Sequence, residues 1–311
     1  MSKIFSVTNQ AITELLEIPD TAEQVFIYGN HLKTLPKLPA GLRKLHCERN
    51  ELTVLPDLPN TLVELQCDNN RLIELPPLPA SLTTLYCSGN VLTALPELPP
   101  NIRDINCFSN TLLTLPVLPV SLMKLNCGTN LLSELPFLPS NLECLQCSNN
   151  DIESLPELPT TLKTLYCGKN QLSSLPALPK CMITLCVSYN KVAVLPTLPP
   201  TLNSLNCTGN RLSRLPKLPE SLLRFYHKYN PYTPQFEALL NQTMNIDAVN
   251  QYHARKDEVE RMLEALTYMK THLSTELCDD ILSYIGTMLT NTDGNVQNQI
   301  HWLESEYASY V

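Results

Sequence analysis

Twelve cysteines are the first residues in this 311-residue chain to which chemistry could be assigned. Eight of them, Cys47, Cys67, Cys87, Cys107, Cys127, Cys147, Cys167 and Cys207, sit in one column of a regular spacing. Thiols at such intervals could hold a soft metal ion or form a stack of disulfides. Neither arrangement fits the pattern. No C-x-x-C pair occurs, and one inward residue from each of several parallel strands does not surround a point tetrahedrally. Ile27, Val187 and His227 take the same place in other rows, as packing tolerates and ligation does not. The expectation is therefore a small buried hydrophobe, since free cysteine is among the most buried residue types. Reduced thiols imply a cytosolic site of action. The chain has no phosphate-binding glycine loop, nucleophile elbow or H-E-x-x-H, and its six histidines are scattered. The chain reads as a non-enzyme with no cofactor and no metal.

The spacing that carries the cysteines runs through everything else from about residue 21 to 220. The period is 20 residues, without insertion, and the frame is L-x-x-L-x-C-x-x-N-x-L-x-x-L-P-x-L-P. Ten full units fit, and an eleventh begins at Ser221 and stops after Asn230. Leu45 and Cys47, two apart, share one face of a short strand. A unit this small cannot bury its apolar side alone, but stacking it on its neighbours creates a continuous core and a parallel sheet. Asparagine recurs without a gap from Asn30 to Asn230 and reads as a ladder of amides that satisfies backbone groups left open by each turn. Twenty of the 26 prolines fill the two proline columns. They predict an extended, polyproline-like return segment rather than a helix.

On this frame the chain resembles the LPX-type leucine-rich-repeat proteins. These are bacterial type III effectors of the Yersinia outer protein M kind, the recognition domains of bacterial ubiquitin-ligase effectors, and similar giant-virus repeat proteins. The resemblance covers about two thirds of the chain. It implies a leucine-rich-repeat solenoid of short parallel strands with extended convex segments, and a host-directed protein-binding role. The effectors mostly place an aliphatic residue where this chain places cysteine.

Strand side chains alternate, so residues between the core leucines and cysteines should face outward on the concave sheet. One such column includes His46, Gln66, Tyr86, Asn106, Asn126, Gln146, Tyr166 and Cys186; the next includes Tyr28, Glu48, Asp68, Ser88, Phe108 and Gly128. The columns vary while the frame does not. They mix aromatic, amide and small residues, which suits protein recognition. The expected partner-binding set is Tyr86, Phe108, Tyr166, Tyr189, His46, Gln66, Asn106, Asn126 and Gln146. Tyr226 and Tyr229, at the end of the repeats, serve equally well as a cover for the core.

The two ends differ from the middle. Residues 1–20 are expected to form an N-terminal cap with a short amphipathic helix over 8–18, begun by Thr8 and stopped by Pro19. Residues 21–230 form the solenoid. Residues 231–311 read as a helical domain or cap, with helices over 246–272, after Ser274, and around Trp302. The Cys278-Asp279-Asp280 sequence is similar to the catalytic loop of the bacterial ubiquitin-ligase effectors. However, acidic neighbours would raise its thiol pKa, and the tail is far smaller than that catalytic domain. Residues 273–285 faintly resemble the opening of an F-box, but an ordinary amphipathic helix explains them as well. The alternative to a plain binding module is thus a ubiquitin-ligase component or adaptor whose tail recruits the machinery.

The formal charge of -8 lies wholly in the tail. Residues 231–311 carry 4 basic and 12 acidic residues, and residues 1–230 carry 18 of each. This argues against nucleic acid and against a polybasic membrane anchor. The first residues lack the apolar run of a secretory signal and no segment is long enough to insert in a membrane, so a cytoplasmic location, in a host cell, is expected.

Overall fold

The computed structural model describes residues 3–242, 246–252 and 261. Twelve three-residue strands, from β1 (Ile4–Ser6) and β2 (Gln24–Phe26) through 20-residue steps to β12 (Arg224–Tyr226), form one sheet in sequence order. All neighbours are parallel and in register, so that each strand residue pairs with the one 20 positions on, as Leu45 does with Leu65 and Leu65 with Leu85. Equal repeat length fixes this register: a one-residue slip would turn the core leucines outward.

Each internal rung is closed at three points. Inside, Leu122, Leu125, Cys127 and Leu132, with their equivalents, are fully or almost fully buried. At the strand end, the asparagine amide does the work of four backbone bonds. Asn70 Nδ2 donates to the Cys47, Cys67 and Asp68 carbonyls at 3.0–3.3 Å, and its Oδ1 accepts from the Leu52 amide at 3.0 Å. At the far corner, the second proline's carbonyl accepts from the amide three residues on, as Pro59 does from Leu62 at 3.0 Å. The polar side chain that follows this corner forms a second ladder. Thr61, Ser121, Thr161 and Thr201 hydroxyls each lie 2.7–2.9 Å from two carbonyls of the preceding rung and can donate their one proton to either. Cys181 occupies the same place, its thiol 3.0 Å from the Thr160 carbonyl.

The residue before each ladder asparagine adopts a left-handed backbone. Gly29, Gly89 and Gly209 do so without strain, and Asn69 and Asn149 at little cost. Arg49, Ser109, Thr129, Lys169, Tyr189 and Tyr229 do so at φ between 53° and 60°. The conformation is imposed because this amide must reach the next rung, as Thr129 N does to the Ser148 carbonyl at 2.7 Å.

The expectation of a helix over 8–18 fails, because no residue in this stretch is helical. The first twenty residues form another, degenerate rung. β1 pairs with β2, and Asn30 reaches back to the Val7 carbonyl and the Gln10 amide. Phe5, Val7, Ile12 and Ile18 stand in the core columns and Gln10 in the asparagine column. At the other end, Thr233 caps α1 (Pro234–Gln242), its hydroxyl accepting from the Phe236 amide at 3.4 Å, and Pro234 occupies the first turn. Residues 246–252 are also helical, and the Asn250 amide pairs with both the N–H and the carbonyl of Leu218, at 2.7 and 2.9 Å. The remainder of the expected helices, with Cys278, the 273–285 segment and Trp302, lies outside the described residues.

The core cysteines are free and fully buried. Four of their thiols, on Cys47, Cys67, Cys107 and Cys167, point at the carbonyl of the next rung at 3.4–3.5 Å. Burial pushes the Cys107 thiol up to about 12, and the rest of the column moves in the same direction. Among the described residues, no group of His, Cys, Asp and Glu could hold a metal ion.

Three outcomes are expected. Replacing Asn130 by Ala should cost about 1–3 kcal/mol for each backbone group left unpaired, and Asn130→Asp should cost more, because a carboxylate would face three carbonyl oxygens; denaturant midpoints measure both. Thr129→Gly should raise stability by about 1 kcal/mol by removing a β-branched residue from the left-handed region, whereas Gly89→Ala should lower it, its added Cβ lying 2.6 Å from Asn69 Oδ1. Maleimide treatment of the native protein at neutral pH, read by peptide mass spectrometry, should modify the half-buried Cys144, Cys181 and Cys186 and spare the eight column cysteines until the chain is unfolded.

Candidate functional site

Three columns of side chains face away from the core along the sheet: the first and third residues of each strand and the residue two further on. Apart from Tyr189, the variable residues expected to bind a partner lie in the second and third of these columns. The first follows from the same alternation and carries much of the charge: Lys44, Glu64, Asp104 and Lys124.

In the N-terminal half these columns bind to one another. Glu64 is the hub. Its carboxylate accepts from Lys44 at 2.8 Å, His46 at 2.9 Å and Gln66 at 2.9 Å. Partial burial works against its charge, but the bonds from Lys44 and His46 hold it below the usual carboxylate range. His46 also meets Phe26 edge-on, with ring centroids 4.9 Å apart. The Tyr86 hydroxyl donates to Asp104 at 3.2 Å, and burial together with that carboxylate raises the phenol pKa. Beside them lies a depression of ≈ 380 Å³ lined by Tyr28, Glu48, Arg49, Asp68, Asn69, Ser88 and Asn106. Asp68 accepts from both the backbone and the hydroxyl of Ser88. Burial raises the pKa of Glu48.

Several of the expected binding residues turn out to serve the surface itself. The Asn106 and Asn126 side-chain oxygens accept from the Phe108 and Gly128 amides at 3.2 Å. Gln146 rests on the Cys144 sulfur at 3.9 Å, and His46, Gln66 and Tyr86 are engaged as described above. Phe108, Tyr166 and Tyr189 differ: they are 43%, 38% and 52% exposed. Glycine provides the room in which Phe108 and Tyr189 lie. A Cβ on Gly128 would stand 3.3 Å from the Phe108 ring, and one on Gly209 would stand 2.7 Å from the Tyr189 ring. Tyr189 owes its outward position to the left-handed residue before the ladder asparagine rather than to a strand.

Between Lys124 and Arg224 the character of the face changes. The outward strand positions are Cys144, Gln146, Thr164, Tyr166, Thr184, Cys186, Ser204 and Asn206, followed by Ser148, Gly168, Ser188 and Thr208 in the third column. None is charged. Tyr226 and Tyr229, 55% and 77% exposed, close this stretch. Such a face can bury surface against another protein without stripping water from ions. Nothing in it supplies a nucleophile paired with a base.

Residues 140–180 match the family model for leucine-rich repeats in two copies. No curated protein sequence matches. Among solved structures, the fold is similar to YopM from Yersinia enterocolitica, at 42% identity and a TM-score of 0.70 over 70% of this chain and 49% of that one. It is also similar to YopM from Yersinia pestis, described as a leucine-rich effector protein, at 33% identity and a TM-score of 0.59 over 73% of this chain and 78% of that one. The functional domain of InlJ from Listeria monocytogenes, which includes a cysteine ladder, shares the fold at 24% identity and a TM-score of 0.65, over 73% of this chain and 53% of that one. The chain thus spans about half the length of the Y. enterocolitica protein. With the 20-residue frame, the in-register parallel strands and these two YopM structures in agreement, the chain belongs to the LPX-type leucine-rich-repeat proteins.

Proposed function

We propose that this protein is a non-enzymatic recognition module that binds a partner protein on the open face of its sheet, as a host-directed effector or scaffold acting in a host cytoplasm. One observation supports this above the others. On a face whose polar side chains are mostly satisfied by one another, Phe108, Tyr166 and Tyr189 remain turned to solvent. Aromatic side chains are frequent among the few residues that dominate binding energy at protein interfaces, and around Tyr166 the uncharged strand positions Gln146, Thr164 and Cys186 let water leave cheaply. The similarity to a protein described as an effector supports the host-directed part of the reading. The even charge balance of residues 1–230 speaks against nucleic acid as the partner. Among the described residues, no helix is long and apolar enough to cross a membrane.

The test is affinity capture from eukaryotic cell lysate with the full chain and with the triple variant Phe108→Ala, Tyr166→Ala, Tyr189→Ala, read by quantitative mass spectrometry. Specific partners should fall at least about tenfold, while circular dichroism and the unfolding midpoint stay close to those of the parent, since all three side chains lie outside the core. Undiminished capture by a folded variant would move recognition off this face.

A further inference from the structure

The core column changes at its last rung. After one isoleucine, eight cysteines and one valine in the ten full repeats, the position that follows β12 is His227. Its ring lies 4.9 Å from that of Phe225, within the same rung, and 6.1 Å from Tyr232. Tyr232 in turn meets Phe236 of α1 edge-on at 5.2 Å. The imidazole is therefore a middle member of a row of rings that joins the last strand to the first turn of the helix. Phe236 is 1% exposed and Tyr232 9%, so the row is closed to water on the helix side. His227 Nδ1 is shielded from solvent and has no hydrogen-bond partner. A phenylalanine or the column's own cysteine would fill this place without a polar atom to leave unpaired.

We propose that His227 makes the attachment of α1 to the end of the solenoid sensitive to protons, so that mild acid loosens the helix from the last rung. Neutral imidazole packs between rings at little cost. A proton on the ring would place a positive charge beside the shielded Nδ1, among aromatic rings that replace its water poorly. The titratable and charged groups around it are few. Lys228, its chain neighbour, opposes a second positive charge, and Glu237 on α1 favours one. The Cys207 thiol of the preceding rung and the Tyr232 hydroxyl face each other, and burial holds both in their neutral forms. Burial is the largest influence on His227 and Lys228 the next. Together they outweigh Glu237 and a hydrogen bond to the histidine's own backbone, and keep the docked histidine below its ordinary value of 6.5. The sign follows: the undocked state takes up the proton more readily. Docking is therefore fully favoured above about pH 6.5 and weakens as pH falls from there through the lower, docked value. The Asn250 clamp on Leu218 does not titrate and holds the neighbouring helical segment throughout.

Hydrogen exchange on the full chain, corrected for intrinsic rates, tests this at about pH 7.5 and about pH 5.5. Protection of the α1 amides from Phe236 to Gln242 should drop several-fold at the lower pH, by no more than about tenfold per pH unit for one proton. Internal strand amides such as Leu125 should keep their protection. His227→Cys, which restores the residue of the column, and His227→Phe should both remove the response. A flat native profile, an equal loss in the internal strands, or a response retained in either folded variant would overturn the proposal.

Discussion

Each rung leaves a cluster of backbone carbonyls and one amide at the end of its strand, where the chain turns away from its neighbours and can no longer pair with them. Burying those groups unpaired would cost about 1–3 kcal/mol each, repeated at every rung. The ladder asparagine resolves this by pairing with its own rung and with the one before, as Asn70 does with Cys47, Cys67, Asp68 and Leu52. Much else follows. The spacing between asparagines must equal the rung length, so insertions are excluded. The residue before the asparagine must turn left-handed to aim its amide onward, even where it is threonine or tyrosine. The carbonyl of the residue two after the core leucine anchors two amides at once, whether that residue is Cys107, for Asn110 and Asn130, or Ile27, for Asn30 and Asn50.

The architecture was legible because these demands act on side chains that do not vary. A column of asparagines or leucines announces itself. The second ladder did not, since Thr61, Ser81, Asn101, Asn141 and Cys181 look like ordinary surface variation until each is seen to offer a donor at the same point. The left-handed column was hidden for a similar reason: its glycines and asparagines are mixed with arginine, lysine and tyrosine. The first twenty residues misled for a different one. Ile12, Leu15 and Leu16 have helical spacing, and local pattern favours a helix. An adjacent rung offers a ready row of backbone partners, and that tertiary template overrides local preference.

The candidate site was only half legible. Alternation along a strand tells which residues face outward, and it placed Phe108 and Tyr166 where they are exposed. It cannot tell which of those residues are already occupied by their neighbours. Tyr86 reads as a free aromatic, but Asp104 in the next strand holds its hydroxyl, and Asn106 and Asn126 turn back on their own backbone. The contrast between an internally bonded N-terminal half and an uncharged C-terminal half emerges only when the first strand column is added to the other two.

Because every rung repeats the same length and the same edge, a unit duplicated or lost would leave both flanking ladders intact. The chain behaves in this respect as a ruler. Across the sheet, groups on its face can be displaced only by whole numbers of strand spacings, about 4.8 Å each. Phe108 and Tyr166 therefore stand a fixed number of steps apart, and a partner with a different spacing could be met by changing the count of rungs rather than the chemistry of any one. Selection on such a molecule would act on arithmetic as much as on side chains.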